Sequence, residues 1–544
     1  MSKQHHGIQL SSSSSSSFSS FIIHHSSFII PWILVLAGLL RLVPIWFGLP
    51  YGKARPDEET ALGHAVAILG GNPNPQFFHW PSLTLYLFAG LFQAASSLRA
   101  IAGLEPHLTD VHRLLIGRAA VALAGTATVG VVFRIGRRVG GETAGLIAAF
   151  FLAVSVLHVR ESHFAMTDAL MTFLAMTALA LLLEGFDSFE SPTVSVGSGQ
   201  VWAAFAPAGL AAGLAASTKY TAAAVLASLA AVHVLLLWRS PGRQSRIWLA
   251  AAAFAAFFGF GFLAGTPFAV LDADKFGEDL LFNFTHLSEG HGVNLGRGWI
   301  YHLTRSLPYG VSLPIFVAAI AGIVPFIRHY RPQACILGAF AIASYISVGS
   351  GRTVFFRYVL PIVPVMCVSA AVAVDRLGRR SFSGAGPATV ALAVGLWGAV
   401  NCIWFDVLLA RKDARVMARE WLDAHLTRDD TFYEAENTYA SLDRGEFVAH
   451  EWRYDAATGS FVNAGGRTPD WLVLHQSPLW TYATIPTPLR RLAAEKYELV
   501  ATIPATRGAA RSAVYDLQDA FFLPVSGFGT VIRPGPTVLI YRRK

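Results

Sequence analysis

The chain has 544 residues, of which 53% are hydrophobic and only 14% charged, with a formal net charge of +8. Ordinary globular proteins carry about 25% charged residues; a mean hydropathy of +0.47 and recurrent apolar runs of roughly 20 residues, enough to cross ~30 Å of hydrocarbon, exclude a string of soluble domains. The excess positive charge is no nucleic-acid footprint, because Lys and Arg cluster between apolar segments, where they orient membrane helices.

The first 27 residues, with the tract Ser11–Ser17, are low in complexity and are expected to be disordered. They show no small-residue cleavage site after a short apolar core, so no removable leader is expected. Phe28–Gly48 reads as the first span, interrupted by Arg41. Directly behind it stands Arg55-Pro56-Asp57-Glu58-Glu59. Pro56 fixes its own φ and disfavours helix at Arg55, so Asp57 is placed to open the amphipathic helix that Leu62, Val66 and Leu69 suggest. Residues 49–111 form a mixed first loop that contains the turn Gly70–Pro75 and an aromatic segment, Phe77–Leu98.

Further spans are expected at Arg113–Phe133, Thr143–Leu157, Ala165–Leu183, Val201–Ala216, Thr221–Trp238, Ile247–Ala264, Ser306–Ile327, Ala334–Val348, Tyr358–Val374 and Val390–Phe405. If Phe77–Leu98 lies along the membrane surface, the basic clusters that end these spans all fall on the cytoplasmic side. About eleven spans follow, with the N-terminus inside, and Asp57, Asp168, Lys219, Arg357 and the C-terminus share the outer face. From Asp406 onward hydropathy falls. Arg411–His425 reads as a helix, and Trp471–Leu474 and Val538–Tyr541 as buried strands, the second just behind the turn Pro534-Gly535-Pro536. The fold class is thus a polytopic α-helical membrane protein, residues 28–405, carrying a small extracytoplasmic α/β domain, residues 406–544.

Several residues suit chemistry, and each has a plain structural alternative. Asp57 is a candidate base or a simple helix cap. Asp168, in Ser162-His163-Phe164-Ala165-Met166-Thr167-Asp168, is an ionisable group at a membrane boundary or another cap. Arg160, Glu161 and His163 can pair among themselves. Lys219-Tyr220 lies in a tight turn between apolar helices, where a cation suits a lipid phosphate or snorkels to the interface. Arg357-Tyr358 reads either as phosphate binder or as interfacial anchor. Asn283, His286 and His291 in the stretch 266–305 match no metal-ligand spacing, and that stretch reads as a lid. Cys335, Cys367 and Cys402 all fall in hydrophobic segments, so neither a disulfide framework nor a Cys metal site is indicated.

The ordered set Pro56-Asp57-Glu58, His79-Trp80-Pro81, Ser162 to Asp168, Ser217-Thr218-Lys219-Tyr220 and Phe356 to Pro361 resembles the C-type (GT-C) membrane glycosyltransferases. More narrowly it is similar to the branch that holds the protein O-mannosyltransferases and the bacterial lipid A aminoarabinose transferases. The resemblance implies a polyprenyl-phosphate sugar donor, an outward-facing site and inversion at the anomeric carbon. It makes Asp57, with Glu58 beside it, the first-loop acid and Asp168 the second-loop acid. The aminoarabinose transferases carry a lysine where this chain has Trp80, which leaves His79 as the polar residue of that loop. The resemblance also supports the surface placement of Phe77–Leu98.

The expected function is therefore sugar transfer from a lipid phosphate to an acceptor hydroxyl outside a bacterial plasma membrane. Asp57, Glu58 and Asp168 are the catalytic candidates, and Lys219, Tyr220, Arg357, Tyr358, His79 and His163 the substrate-binding ones. No cofactor is required; a divalent metal is allowed by the acids but not indicated. Membrane lipid is a partner and nucleic acid is not. Protein, lipid and glycan all remain open as acceptor. The rival is a transporter or flippase, which predicts charges at the membrane midplane and paired repeats.

Overall fold

The computed structural model describes residues 16–190, 198–380, 386–427, 429–435, 439–442, 452–462, 467–508 and 512–544, with side chains from Phe28 onward. Residues 1–15, most of the Ser-rich tract, lie outside the described residues, and the first helix runs Ser16–Leu42.

The chain is a multi-pass helical membrane protein with a C-terminal α/β domain. Seven helices among the described residues are long and apolar enough to cross a membrane, or eight if one bent pair counts as a single span. The remaining expected spans also lie on helices. Phe28–Leu42 is a shorter apolar helix, and Tyr358–Val374 falls mainly on Ile362–Arg380. Arg113–Phe133 and Thr143–Leu157 fall mainly on one long helix, Asp110–Ala153, broken at Gly140-Gly141. Gly141 has φ +78°, which only glycine adopts cheaply, so the chain folds back there without leaving helix for long. Leu83–Ile101, the core of the aromatic segment, is not among the helices apolar enough to cross.

One expected span is corrected. Ser306–Ile327 is not continuous, because Ser312 takes φ 78° and the chain bends by 115° between Gly298–Val311 and Leu313–His329. Arg41, which interrupts the first span in sequence, is fully buried. Its guanidinium donates to the carbonyls of Ala37, Leu152 and Ala153, which joins its own helix to the C-terminal end of the helix Asp110–Ala153.

Helices approach most closely where the sequence is small. A side chain at Gly213 would sit 2.1 Å from the Phe258 carbonyl oxygen, and one at Gly209 2.3 Å from that of Phe254. The helices Ser198–Ala216 and Gln244–Gly265 thus pack backbone to backbone, the contact that small residues permit within lipid.

The helix Pro387–Leu409 leads into the C-terminal domain, whose helix Ala414–His425 starts at Asp413, a side chain that caps Arg415 N at 2.9 Å. Six strands follow among the described residues: β1 Phe432–Glu434, β2 Arg453–Asp455, β3 Ser460–Val462, β4 Trp471–Gln476, β5 Tyr497–Ile503 and β6 Thr537–Arg543. The main sheet has the order β1-β4-β6-β5, with β1 parallel to β4 and β6 antiparallel to both neighbours; β2 and β3 form a separate hairpin. The two strands read from sequence are neighbours, with Val473 opposite Ile540 and Leu474 opposite Leu539. Gly535 holds φ +94° in the turn before β6, where a Cβ would meet Asp413 Oδ1 at 2.5 Å. That close approach ties the turn to the helix cap.

Candidate active site

The residues leading to Pro56 are turns and bends, and Asp57 follows with φ 72° and ψ −14°, left-handed backbone that costs a non-glycine residue about 1–3 kcal/mol. Asp57 precedes the helix Glu58–Leu69, yet its side chain makes no capping hydrogen bond. The plain cap is therefore not what this carboxylate does. It is one-third exposed, and its Oδ2 lies 3.6 Å from Arg357 Nη2. The helix behind it buries Ala61 and Ala65 rather than the expected stripe, and Leu69 is exposed.

Glu58, expected beside the reaction, is elsewhere. It is fully buried, and both its oxygens are taken by Arg118 at 2.9 and 2.6 Å in a two-pronged pair. Its Oε1 also accepts the Ala165 N–H at 2.8 Å. Arg118 in turn donates to the Ile45 and Phe47 carbonyls and lies flat on Phe47, 3.6 Å from the ring centre. Glu58 thus ties the first loop to the second and has no free face for substrate.

Asp168 opens the helix Thr167–Glu190 and is buried. Lys219 Nζ donates to its Oδ1 at 2.6 Å, while Oδ2 is buried with no hydrogen-bond partner. Lys219 also stands 5.0 Å from the centre of the Tyr358 ring. Tyr220 turns away and donates to the Phe78 carbonyl at 2.8 Å, fixing the aromatic segment to this turn.

Arg357 is buried in a single helical turn, Phe356–Val359, stacked on Phe355 at 4.0 Å. Besides Asp57 it reaches Asp519 Oδ2, 3.4 Å from its Nη1. Asp519 comes from the C-terminal domain and was not singled out from sequence. Its Oδ1 accepts from Arg55 at 2.7 Å and its Oδ2 from Arg160 at 2.9 Å, all three groups buried. Arg160 also pairs with its neighbour Glu161, as the sequence suggested. Burial alone would raise the Asp519 carboxyl, but Arg55, Arg357 and Arg160 outweigh it and hold the group well below the usual carboxylate range. Asp516, equally buried and facing the Asp519 charge, is pushed up. Arg55 Nη2, Arg357 Nη1 and Asp168 Oδ2 are all buried without hydrogen bonds, so donors and an acceptor remain unmatched in this cluster.

The stretch 266–305, expected as a lid, is built on the helix Ala273–Glu289. Asp279 accepts the Phe78 N–H at 2.7 Å and Asp272 accepts from Asn74 at 2.7 Å, so this helix holds the first loop. His79 lies between Phe77 and Phe282, with ring centres 5.0 and 4.4 Å away. His286 and His291 face each other at 5.3 Å, and His291 packs 5.2 Å from Phe355. Burial lowers both imidazoles, and Arg357 lowers them further, which favours the neutral rings. Asn283 donates to the Asp279 carbonyl of its own helix. Among the described residues no three His, Cys, Asp or Glu side chains gather as a metal site.

His163 does not join the cluster. It is fully buried, within hydrogen-bond reach of the Val159 carbonyl at 2.9 Å and 3.6 Å from Asp406. The structure therefore brings together Asp57, Arg357, Tyr358, Lys219 and Asp168, adds Asp519, Arg55 and Arg160, and sets Glu58 and His163 behind them. Arg55 stood inside the acidic motif and Arg160 beside the second-loop motif, but Asp519 carried no sequence signal.

Over residues 79–273 the sequence matches the family described as PMT, dolichyl-phosphate-mannose-protein mannosyltransferase. The resemblance to the protein O-mannosyltransferase branch is borne out over that stretch, which includes His79, His163, Asp168, Lys219 and Tyr220. Asp57, Arg357 and the C-terminal domain lie outside it. No curated protein sequence matches the chain. Solved structures are similar at low identity. ArnT from Cupriavidus metallidurans, bound to undecaprenyl phosphate, is 14% identical with a TM-score of 0.49, covering 97% of this chain and 98% of its own. The apo oligosaccharyltransferase of Archaeoglobus fulgidus is 16% identical at 0.49, covering 76% of this chain, which spans 59% of that protein. The S. cerevisiae protein O-mannosyltransferase Pmt1-Pmt2 complex, bound to its sugar donor, is 20% identical at 0.35, covering 48% of this chain and 34% of that one.

Proposed function

We propose that the chain is an inverting glycosyltransferase that moves a sugar from a polyprenyl-phosphate carrier to an acceptor hydroxyl. The observation that carries this reading is the Asp57 carboxylate, uncapped, one-third exposed and set on left-handed backbone beside Arg357. The family matched over residues 79–273, whose description names a dolichyl-phosphate sugar, supports the lipid-linked donor.

In this reading Asp57 accepts the proton of the acceptor hydroxyl as its oxygen bonds to the anomeric carbon. The bond from that carbon to the phosphate oxygen breaks, and the electron pair leaves with the polyprenyl phosphate. Arg357 and Lys219 face the charge that develops on that oxygen, where fixed cations in a water-poor site count most. Asp168 holds Lys219 by the 2.6 Å pair, and Tyr358 lines the space between the two cations. The step needs no metal, because a phosphate leaves readily once its charge is met.

The site is read as facing away from the cytoplasm. Asp168 starts the helix Thr167–Glu190, and Glu184 near its other end, about 24 Å along the axis, pairs with Arg134 and Arg138. Likewise Arg239, which pairs with Glu190, ends the helix that follows the Lys219 turn. These basic clusters mark the cytoplasmic end by the positive-inside rule.

The test is transfer from a polyprenyl-phosphate-linked sugar by purified, reconstituted protein. Asp57→Asn should lose activity by about 10²–10⁴-fold, the usual worth of a positioned base, while still binding the lipid phosphate. If wild-type protein transfers no sugar from such donors but carries solute across vesicles, the transporter reading replaces this one.

A further inference from the structure

We infer that Asp519 is a positioning residue, which sets Arg357 against Asp57, so that the C-terminal domain completes the site. The inference rests on the transferase reading above and assigns the domain a part in it. Asp519 is 2% exposed and does not itself meet substrate. It acts through what it holds.

Its two oxygens serve three guanidinium groups from three separate segments. Arg55 comes from the first loop, two residues before Asp57; Arg160 comes from the short helix Val156–Ser162; Arg357 comes from the turn Phe356–Val359. One carboxylate therefore ties the segment that carries the acid to the segment that carries the cation. Two side chains just before it in sequence fix the register. Asp516 accepts the Phe356 N–H at 2.7 Å, and Gln518 Oε1 accepts the Val354 N–H at 2.6 Å. The Gln518 amide donates in turn to the Val293 and Arg352 carbonyls at 2.9 and 3.1 Å. The backbone leading into Arg357 is thus bonded three times, at Arg352, Val354 and Phe356, to the same stretch of the C-terminal domain. Phe521 packs against Phe47 and Phe164, with ring centres 6.1 and 4.9 Å away, and seals the cluster from the side.

Charge explains why a carboxylate must stand there. Three buried guanidiniums in one place repel each other, and an unneutralised buried charge is strongly destabilising. With Asp519 docked, Arg357 is held between two carboxylates, and its Nη1 makes no hydrogen bond of its own. Nη1 is buried toward Asp519, so the Nη2 side, next to the one-third-exposed Asp57, is the one placed to meet an anionic oxygen.

The experiment uses the full chain in lipid nanodiscs with Asp519→Asn, Asp519→Glu, Arg357→Gln and the double variant Asp519→Asn/Arg357→Gln. Two quantities are read: sugar transfer from a polyprenyl-phosphate donor, and direct binding of undecaprenyl phosphate. Asp519→Glu keeps the charge and the fold but shifts the carboxylate by one methylene; kcat is expected to fall about 10²-fold, the effect of a misplacement near 1 Å. Asp519→Asn is expected to weaken undecaprenyl phosphate binding at least tenfold and to add nothing once Arg357 is gone. Wild-type kcat and lipid binding in Asp519→Glu would overturn the inference, as would losses that simply multiply in the double variant, the pattern of a merely structural clasp. Absence of transfer by wild type sinks the transferase reading instead, and the lipid-binding comparison then still decides the role of Asp519.

Discussion

Asp57 and Arg357 lie 3.6 Å apart although most of the membrane domain separates them in sequence. The pair sets the acid of the first loop beside a cation that enters 300 residues later in the chain (357 − 57). Each residue has an ordinary membrane-boundary explanation alone. Together, with the Asp57 backbone held in a left-handed conformation and its side chain uncapped, they have a chemical one.

Glu58 is predicted to matter for stability before activity. Glu58→Gln breaks a fully buried pair with Arg118, and removing one partner of such a pair typically costs about 3–5 kcal/mol. Thermal melting of the purified protein should show a large drop for Glu58→Gln and a small one for Asp57→Asn. Equal melting points for Glu58→Gln and wild type would count against the buried pair.

Lys219→Met should act on the donor. A hydrogen bond to a charged group is worth about 1.5–3 kcal/mol, so KM for a polyprenyl-phosphate sugar is expected to rise about 10–100-fold, with Lys219→Arg in between. An unchanged KM would return Lys219 to the role of an interfacial anchor. The 2.6 Å pair with Asp168 predicts that Asp168→Asn shifts KM in the same direction, since it loosens the lysine.

His163 predicts an acid-side loss of stability. Burial, with Arg41 and Arg118 nearby, pushes its imidazole down to about 4 from an ordinary 6.5, against hydrogen bonds to Val159 and Val43 that act the other way. The unfolded chain therefore binds the proton more readily, so stability falls as pH drops from about 6.5 and the loss is complete near pH 4. At full effect a shift of that size is on the order of 3 kcal/mol. Melting temperature followed over that range should decline in wild type and decline less in His163→Phe. Parallel curves would show that another group dominates.

Phe282→Ala tests the aromatic wall. Its ring stacks near His79 and parallel to His286, so its loss should release the first loop from the helix Ala273–Glu289. Hydrogen exchange at residues 77–80 is expected to speed up, with less change at Asp168. Unaltered exchange would mean that Asp279, Asp272 and Tyr220 hold that loop without the ring.

The parts of the site that sequence made legible are those where chemistry and hydropathy conflict. Asp168, Lys219 and Arg357 are charged where the surrounding chain is apolar, Asp57 stands in a charged run directly behind an apolar span, and all four converge. Glu58 misled because adjacency in sequence is not adjacency in space. One residue past Asp57 the chain enters a helix, and the side chain turns inward to Arg118. The bend at Ser312 was hidden because the apolar run continues through it. Asp519 was invisible for another reason. It sits in a mixed, soluble-looking stretch, Tyr515–Phe522, and its partners lie in three distant segments whose meeting no local pattern encodes.

The docking of Asp519 has a consequence for the order of biosynthesis. Every membrane helix is made before the ribosome reaches this residue, and Arg55 finds its carboxylate only there. A nascent chain that has already threaded its helices still lacks the counter-charge that draws Arg55, Arg160 and Arg357 together. The tail domain, last in chain order, therefore supplies the carboxylate that joins Arg55, Arg160 and Arg357, and the cluster around Arg357 is the last part of the molecule to be completed.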